Sequence, residues 1–177
     1  MGLDRFARAK GIPGYLYELA KGVVTVVDIP GLPHGLVVQA LDRQLRGYDL
    51  AHPGVIHYMA GEAECALRLP GMQSERHPDR AIYLSPPPEP VEPWDDWVPE
   101  IVIEVVSKGQ ESRDYGEKRE EYLAAGIREY WVVDPAHSSV VFLRRRGDRW
   151  AESELKGPRK YRTPLLPGFE LDLALVF

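Results

Sequence analysis

The spacing of apolar residues changes period several times along the chain, and each change marks an element. Residues 3–10 carry a short helical spacing, stopped by Gly11 and Pro13. Residues 15–19 and 23–29 read as two strands joined at Lys21-Gly22, a hairpin signal. Pro30, Gly31 and Pro33 interrupt the pattern. Over residues 34–46, Val37, Leu41 and Leu45 recur at every fourth position, which predicts a helix with Gly47 as its C-terminal stop. Residues 55–60 and 63–69 read as a second hairpin around Gly61. Residues 80–84 form a short strand introduced by Pro78-Asp79.

The most ordered stretch follows. Ile101, Val102, Ile103, Val105 and Val106 make a β-branched run that is apolar on both faces, as in a strand near the middle of a sheet. Residues 107–112 are a loop, 113–125 a helix ended by Gly126, and 129–133 another strand closed by Asp134-Pro135. Strand, helix, strand implies a helical crossover and a parallel pair. Residues 140–144 and 150–155 close the pattern as a hairpin around Gly147-Asp148. The expected class is α/β in the mixed (α+β) sense: a mixed sheet flanked by helices, with extra N-terminal and C-terminal β-hairpins.

Composition narrows the picture. A chain of 177 residues is long enough for one domain with a substantial core and too short to expect two, so residues 1–177 are read as a single domain. No run of about eighteen apolar residues exists, so no membrane partner is expected. The start of the chain lacks a signal-peptide core, and a lone cysteine, Cys65, suits a reducing cytoplasm. Cys65 lies in a strand-like stretch and is expected to pack as a small hydrophobe. Residues 85–99 hold six prolines together with Trp94 and Trp97, which describes a stiff loop. The net charge is −5, yet residues 144–162 alone carry +5. Arg144, Arg145, Arg146 and Arg149 are therefore candidates for contact with a nucleic-acid backbone, or the solvated face of a hairpin.

One residue in the central strand needs an explanation. An ionised carboxylate buried without a partner costs several kcal/mol, so Glu104 must be paired or bind a cation. Asp79 opens the preceding strand, and if the two strands pair, the two carboxylates approach each other. A hard divalent ion relieves such repulsion. On the next helix, Tyr115, Lys118 and Tyr122 share one face, so Lys118 either serves a scissile phosphate or snorkels beside Asp114. The five histidines show no paired metal-ligand spacing. Ser107 and Ser112 have no nearby base that would make either a nucleophile.

These motifs fall in a specific order: Tyr17-Glu18-Leu19 with Gly22; Pro78-Asp79; residues 99–107 around Glu104; Gly116-Glu117-Lys118, Tyr122-Leu123 and Gly126-Ile127; residues 129–135; and residues 164–171. In that order and spacing the chain resembles the large bacterial Uma-type family of putative restriction endonucleases, a branch of the PD-(D/E)XK nuclease superfamily. The resemblance implies a restriction-endonuclease-like core, and Mg²⁺- or Mn²⁺-dependent cleavage of phosphodiester bonds in DNA, less readily RNA. It implies Asp79 and Glu104 as metal ligands and catalytic groups, with help from the Val105 carbonyl and from Glu18. It implies DNA as a partner and leaves a homodimer open.

Three departures from the family pattern bear on activity. Val106 stands where the superfamily has a lysine, Lys108 replaces a proline after Ser107, and Val23-Val24 occupy positions where a second early acid is usual. Lys118 is then the expected catalytic lysine and Lys108 the secondary candidate, while Glu100 is a secondary acid or an organiser of the strand entrance. Against the enzyme stands a second reading, a catalytically inactive nuclease-fold module that binds or assembles through its Pro/Trp loop or basic hairpin.

Overall fold

The computed structural model describes residues 1–13, 15–27, 31–61, 64–88 and 96–177. In chain order the elements are α1 (Leu3–Ala7), β1 (Leu16–Ala20), β2 (Val23–Val27), α2 (Leu32–Ala51), β3 (Tyr58–Ala60), β4 (Leu67–Leu69), β5 (Ser74–Arg76), β6 (Arg80–Tyr83), β7 (Ile101–Val105), α3 (Lys118–Ala125), β8 (Glu129–Asp134), β9 (Ser139–Arg146), β10 (Arg149–Lys156), β11 (Lys160–Arg162) and β12 (Glu170–Asp172). Six strands form the main sheet in the order β10-β9-β8-β7-β6-β3. Within it β7 and β8 run parallel, Ile101 opposite Glu129 and Val105 opposite Val133, with α3 as the crossover between them. The other pairs are antiparallel. The mixed sheet with few flanking helices is the expected class.

Both faces of this sheet are covered, which is why β7 and β8 are buried at every position. Ile101, Ile103 and Val105 point to one face, where Val37, Leu41, Leu45 and Tyr48 of α2 meet Trp131, Phe142 and the C-terminal residues Leu166, Phe169 and Leu171. Val102, Tyr130 and Val132 point to the other, against Tyr122 of α3, Leu67, Leu69 and Trp97. A second sheet has the order β2-β1-β5-β4, and β11 pairs with β12.

The β1–β2 hairpin turns at Lys21 and Gly22, both with positive φ (47° and 83°), the conformation whose twist matches the flanking strands. Several expectations need correction. The α2 helix does not stop at Gly47 but runs to Ala51, because Tyr48 is buried and donates a hydrogen bond to Pro167 O at 2.9 Å. Residues 55–60 and 63–69 do not pair. β3 joins β6 in the main sheet and β4 joins β5 in the other; Ala63 lies outside the described residues, as does Ile29 of the expected second strand. The helix expected from residue 113 is regular only from Lys118, because Arg113–Glu117 form a π-helical turn. β5, β11 and β12 were not expected at all. Among the described residues no helix is long and apolar enough to cross a membrane.

Candidate functional site

Strand alternation sends Glu104 away from the α2 face and towards α3. It is 3% exposed. Tyr122 donates its hydroxyl to Glu104 Oε1 at 2.6 Å, and Lys118 Nζ lies 2.9 Å from Oε2. Lys118 also pairs with Asp114 Oδ1 at 3.0 Å, so the expected pairing with its own helical neighbour is present, and the same ammonium meets the strand carboxylate. The π-helical turn adds one residue to the circumference at this point, a device common where side chains converge.

Asp79 precedes β6. Arg80 pairs with Ile103, and one further step of that register sets Asp79 against Glu104. Val105 N donates to Asp79 Oδ2 at 2.6 Å, so the aspartate side chain takes the place of a strand neighbour. Asp79 Oδ1 lies 2.9 Å from His34 Nε2, and His34 Nδ1 lies 3.2 Å from Ser107 Oγ. An ionised carboxylate only accepts, so a neutral His34 carries its proton on Nε2 and accepts from Ser107 at Nδ1. This corrects the expectation that Ser107 has no base nearby. His34 could not be found by spacing, because the first turn of α2 meets Asp79 from 45 residues away along the chain.

Glu18 of β1 faces the same space. Arg76 donates to it at 3.0 Å, His77 N at 3.2 Å, and Arg113 also pairs with it. Arg76 is fully buried and reaches Glu121 Oε2 at 2.6 Å, which in turn accepts from Ser74 at 2.8 Å on its other oxygen. Sequence reading missed Arg76, which lies between the strand expected to end at Leu69 and the one expected to open at Arg80. Among the described residues no buried side-chain nitrogen or oxygen lacks a hydrogen-bond partner.

Glu18, His34, Asp79, Glu104, Arg113 and Lys118 line one cavity of about 210 Å³, with Lys108 among its other lining residues and Leu16, Tyr17 and Val27 on an apolar wall. Burial, with Asp79, Asp114 and Glu18 nearby, pushes the Glu104 carboxyl up although Lys118 opposes the shift. Burial alone would lower the Lys118 ammonium, yet Glu104, Asp114 and Glu18 hold it well above the usual lysine range. Burial would likewise raise Glu18, but Lys118, Arg76 and Arg113 bring it below its ordinary value. The cavity thus crowds Glu104 and Asp114 around Lys118, while Arg76 and Arg113 hold Glu18 at its wall.

The donor set suits a hard divalent ion. Two carboxylates, Asp79 and Glu104, adjoin the Val105 carbonyl, which leaves its strand on the same side as the Val105 N–H. Among the described residues no three His, Cys, Asp or Glu side chains could hold a metal by themselves. A cation here would therefore complete its shell with water or substrate oxygens, as Mg²⁺ does.

Other expected residues sit elsewhere. Glu100 accepts from Leu84 N at 2.7 Å and Ser85 Oγ at 2.9 Å, and so organises the entrance to β7. Arg144 is tied to Glu129 at 3.0 Å and to Tyr161, and Arg145 to the Leu123 carbonyl; Arg146 and Arg149 are exposed. Arg144 lies opposite Glu129, at the far end of the strands from Glu104, and none of the four arginines lines the cavity. Two of the four thus have partners within the fold, and Arg146 and Arg149 lie on the exposed end of the hairpin. Trp97 is buried against Tyr83 and donates to Ser85 O at 3.1 Å, anchoring its loop; Trp94 lies outside the described residues.

A family model described as Uma2, putative restriction endonuclease, matches residues 4–174. Among solved structures, a putative nuclease belonging to DUF820 from Anabaena variabilis superposes with a TM-score of 0.78 at 17% identity, covering 99% of this chain and 97% of its own. At that identity the likeness shows the fold alone. Among proteins of curated function, none matches the sequence.

Proposed function

We propose, from the premise that this chain belongs to the Uma2 family of putative restriction endonucleases, that it is a divalent-metal-dependent nuclease hydrolysing phosphodiester bonds in DNA. The carrying observation is the convergence of Asp79, Glu104 and Lys118 on one cavity, with Lys118 2.9 Å from Glu104. Asp79 and Glu104 hold the cation, with the Val105 carbonyl beside them. A bound Mg²⁺ or Mn²⁺ would polarise the phosphate and acidify a water. Lys118, fixed between Glu104 and Asp114, offers a preorganised positive charge to the phosphate oxygens or the attacking hydroxide. Tyr122 and the Val105 N–H orient the two carboxylates; His34 holds Asp79 from the opposite side. Glu18 matches an early acid of the family, and its pairing with Arg76 and Arg113 supports a role in shaping the wall. Lys108 is the second lysine within reach of the cavity. The whole of residues 1–177 acts as one domain, and its single cysteine suits the cytoplasm.

Titration with Mg²⁺ and Mn²⁺, followed by incubation with plasmid, single-stranded and branched DNA, tests this reading. Cleavage is expected with metal and is expected to vanish in Asp79→Ala and Glu104→Gln. Metal-independent inertness towards every substrate would overturn it. One observation favours the alternative, a catalytically silent module. Both oxygens of Glu104 and both of Asp79 already have protein partners. On that reading, metal neither binds nor changes stability, and the Asp79 and Glu104 variants differ from the parent only in folding.

A further inference from the structure

The β2 strand forms one edge of the smaller sheet, paired on one side with β1 and, among the described residues, with nothing on the other. Such an edge is a template for another chain unless it is guarded by charge, proline or a bulge. Within β2 itself none of those guards is present: the strand reads Val23-Val24-Thr25-Val26-Val27, and Val23, Val24 and Val26 are all exposed. An exposed, uncharged, β-branched edge is the feature that soluble proteins ordinarily avoid.

Its sequence identifies the occupant. The five residues read the same in both directions. An antiparallel pairing with an identical strand, centred on Thr25, sets Val23 opposite Val27, Val24 opposite Val26, and Thr25 opposite itself. Every cross-strand pair is then valine on valine or threonine on threonine, both favourable. The backbone agrees. In a hairpin with a two-residue turn, the closing pair Ala20–Val23 is hydrogen-bonded, and bonded pairs alternate with non-bonded ones along the ladder. Thr25, opposite Glu18, therefore turns its N–H and C=O towards β1, while Val24 and Val26 turn theirs outward. A two-fold axis at Thr25 lets Val24 of one copy exchange both hydrogen bonds with Val26 of the other, and the converse. A two-fold contact of this kind closes on itself and stops at two chains.

We propose that this protein forms a homodimer by antiparallel pairing of two β2 strands about Thr25, merging the two smaller sheets into one eight-stranded sheet. Val27, Leu16 and Tyr17 belong both to this hairpin and to the cavity wall, so the dimer sets two cavities on either side of its axis. The inference does not depend on the nuclease reading.

A register-specific cross-link tests it. Facing Cα atoms at a non-hydrogen-bonded antiparallel pair are about 4.5 Å apart, within the span of a disulfide. The chain's single native cysteine, Cys65, is buried and does not interfere. Thr25→Cys is expected to oxidise to a covalent dimer. Val23→Cys is not, since the axis carries residue 23 away from its own copy. Light scattering of the unmodified protein over a dilution series should give a mass approaching twice 20.0 kDa, and Val24→Lys/Val26→Lys should return it to 20.0 kDa with its circular dichroism unchanged. A monomer at every concentration would overturn the proposal. So would a dimer that survives the double lysine variant, or one in which Val23→Cys cross-links as readily as Thr25→Cys.

Discussion

Lys118 is the residue on which the cavity turns. Its ammonium is buried and touches both Glu104 and Asp114. Replacing it with methionine leaves two buried carboxylates facing each other. A loss of about 3–5 kcal/mol is expected, the usual penalty for breaking a buried pair. If Asp79 and Glu104 bind a cation, Mg²⁺ or Mn²⁺ should restore part of that loss, and should raise the melting temperature of Lys118→Met more than that of the parent. Scanning calorimetry with and without metal reads both. Equal metal effects on the two proteins would detach Lys118 from the cation site. Cys65 offers a quieter test. Burial pushes its thiol up to about 11 from an ordinary 9.0. A raised acid is neutral in the folded state, so its contribution to stability is intact below pH 9.0 and is lost as the pH rises towards about 11. Urea midpoints should fall across that window in the parent and less in Cys65→Ala, and alkylation at neutral pH should be slow without denaturant.

At the scale of elements, two glycines that look alike in sequence behave differently. Gly47 lies inside α2, has ordinary helical dihedrals, and a methyl group there would meet open space. Gly47→Ala should stabilise the protein by about 0.5–1 kcal/mol. Gly126 caps α3 at φ 93°, a left-handed conformation, so Gly126→Ala should cost about 1–2 kcal/mol. Denaturant unfolding of the pair reads opposite signs. The same contrast shows what the sequence could and could not reveal. Glu104 in an apolar run, the parallel β7–β8 pair and the glycine stop at Gly126 were legible, because each is a local departure from a strong periodic pattern. The end of α2 was not, since Tyr48 is held there by a carbonyl 119 residues later. Nor was β5, whose Ser74, Glu75 and Arg76 are all buried and all polar, which inverts the usual signal for a strand. His34 beside Asp79 was hidden for the same reason: its partner is set by the tertiary path of the chain.

For the molecule as a whole, charge and cavity lie apart. The β9–β10 hairpin carries its exposed Arg146 and Arg149 at the end of the strands opposite Glu104. A short duplex seated at the cavity is not expected to reach them. Arg146→Glu/Arg149→Glu should therefore leave both the affinity for a short duplex and its dependence on salt unchanged. Each phosphate contact genuinely lost would lower the log–log slope by about 0.9, so fluorescence anisotropy at several salt concentrations decides the matter. A slope lowered by one or two such steps would return the hairpin to the DNA-binding surface.

The chain of ion pairs from Arg113 through Glu18 and Arg76 to Glu121 also has a thermal side. It ties β1 and β5 to α3 and so holds the wall of the cavity. Ions become less strongly hydrated as water warms, so the cost of keeping these groups dry shrinks with heating, while the apolar contribution levels off. This joint should therefore hold relatively better in hot solution than in cold.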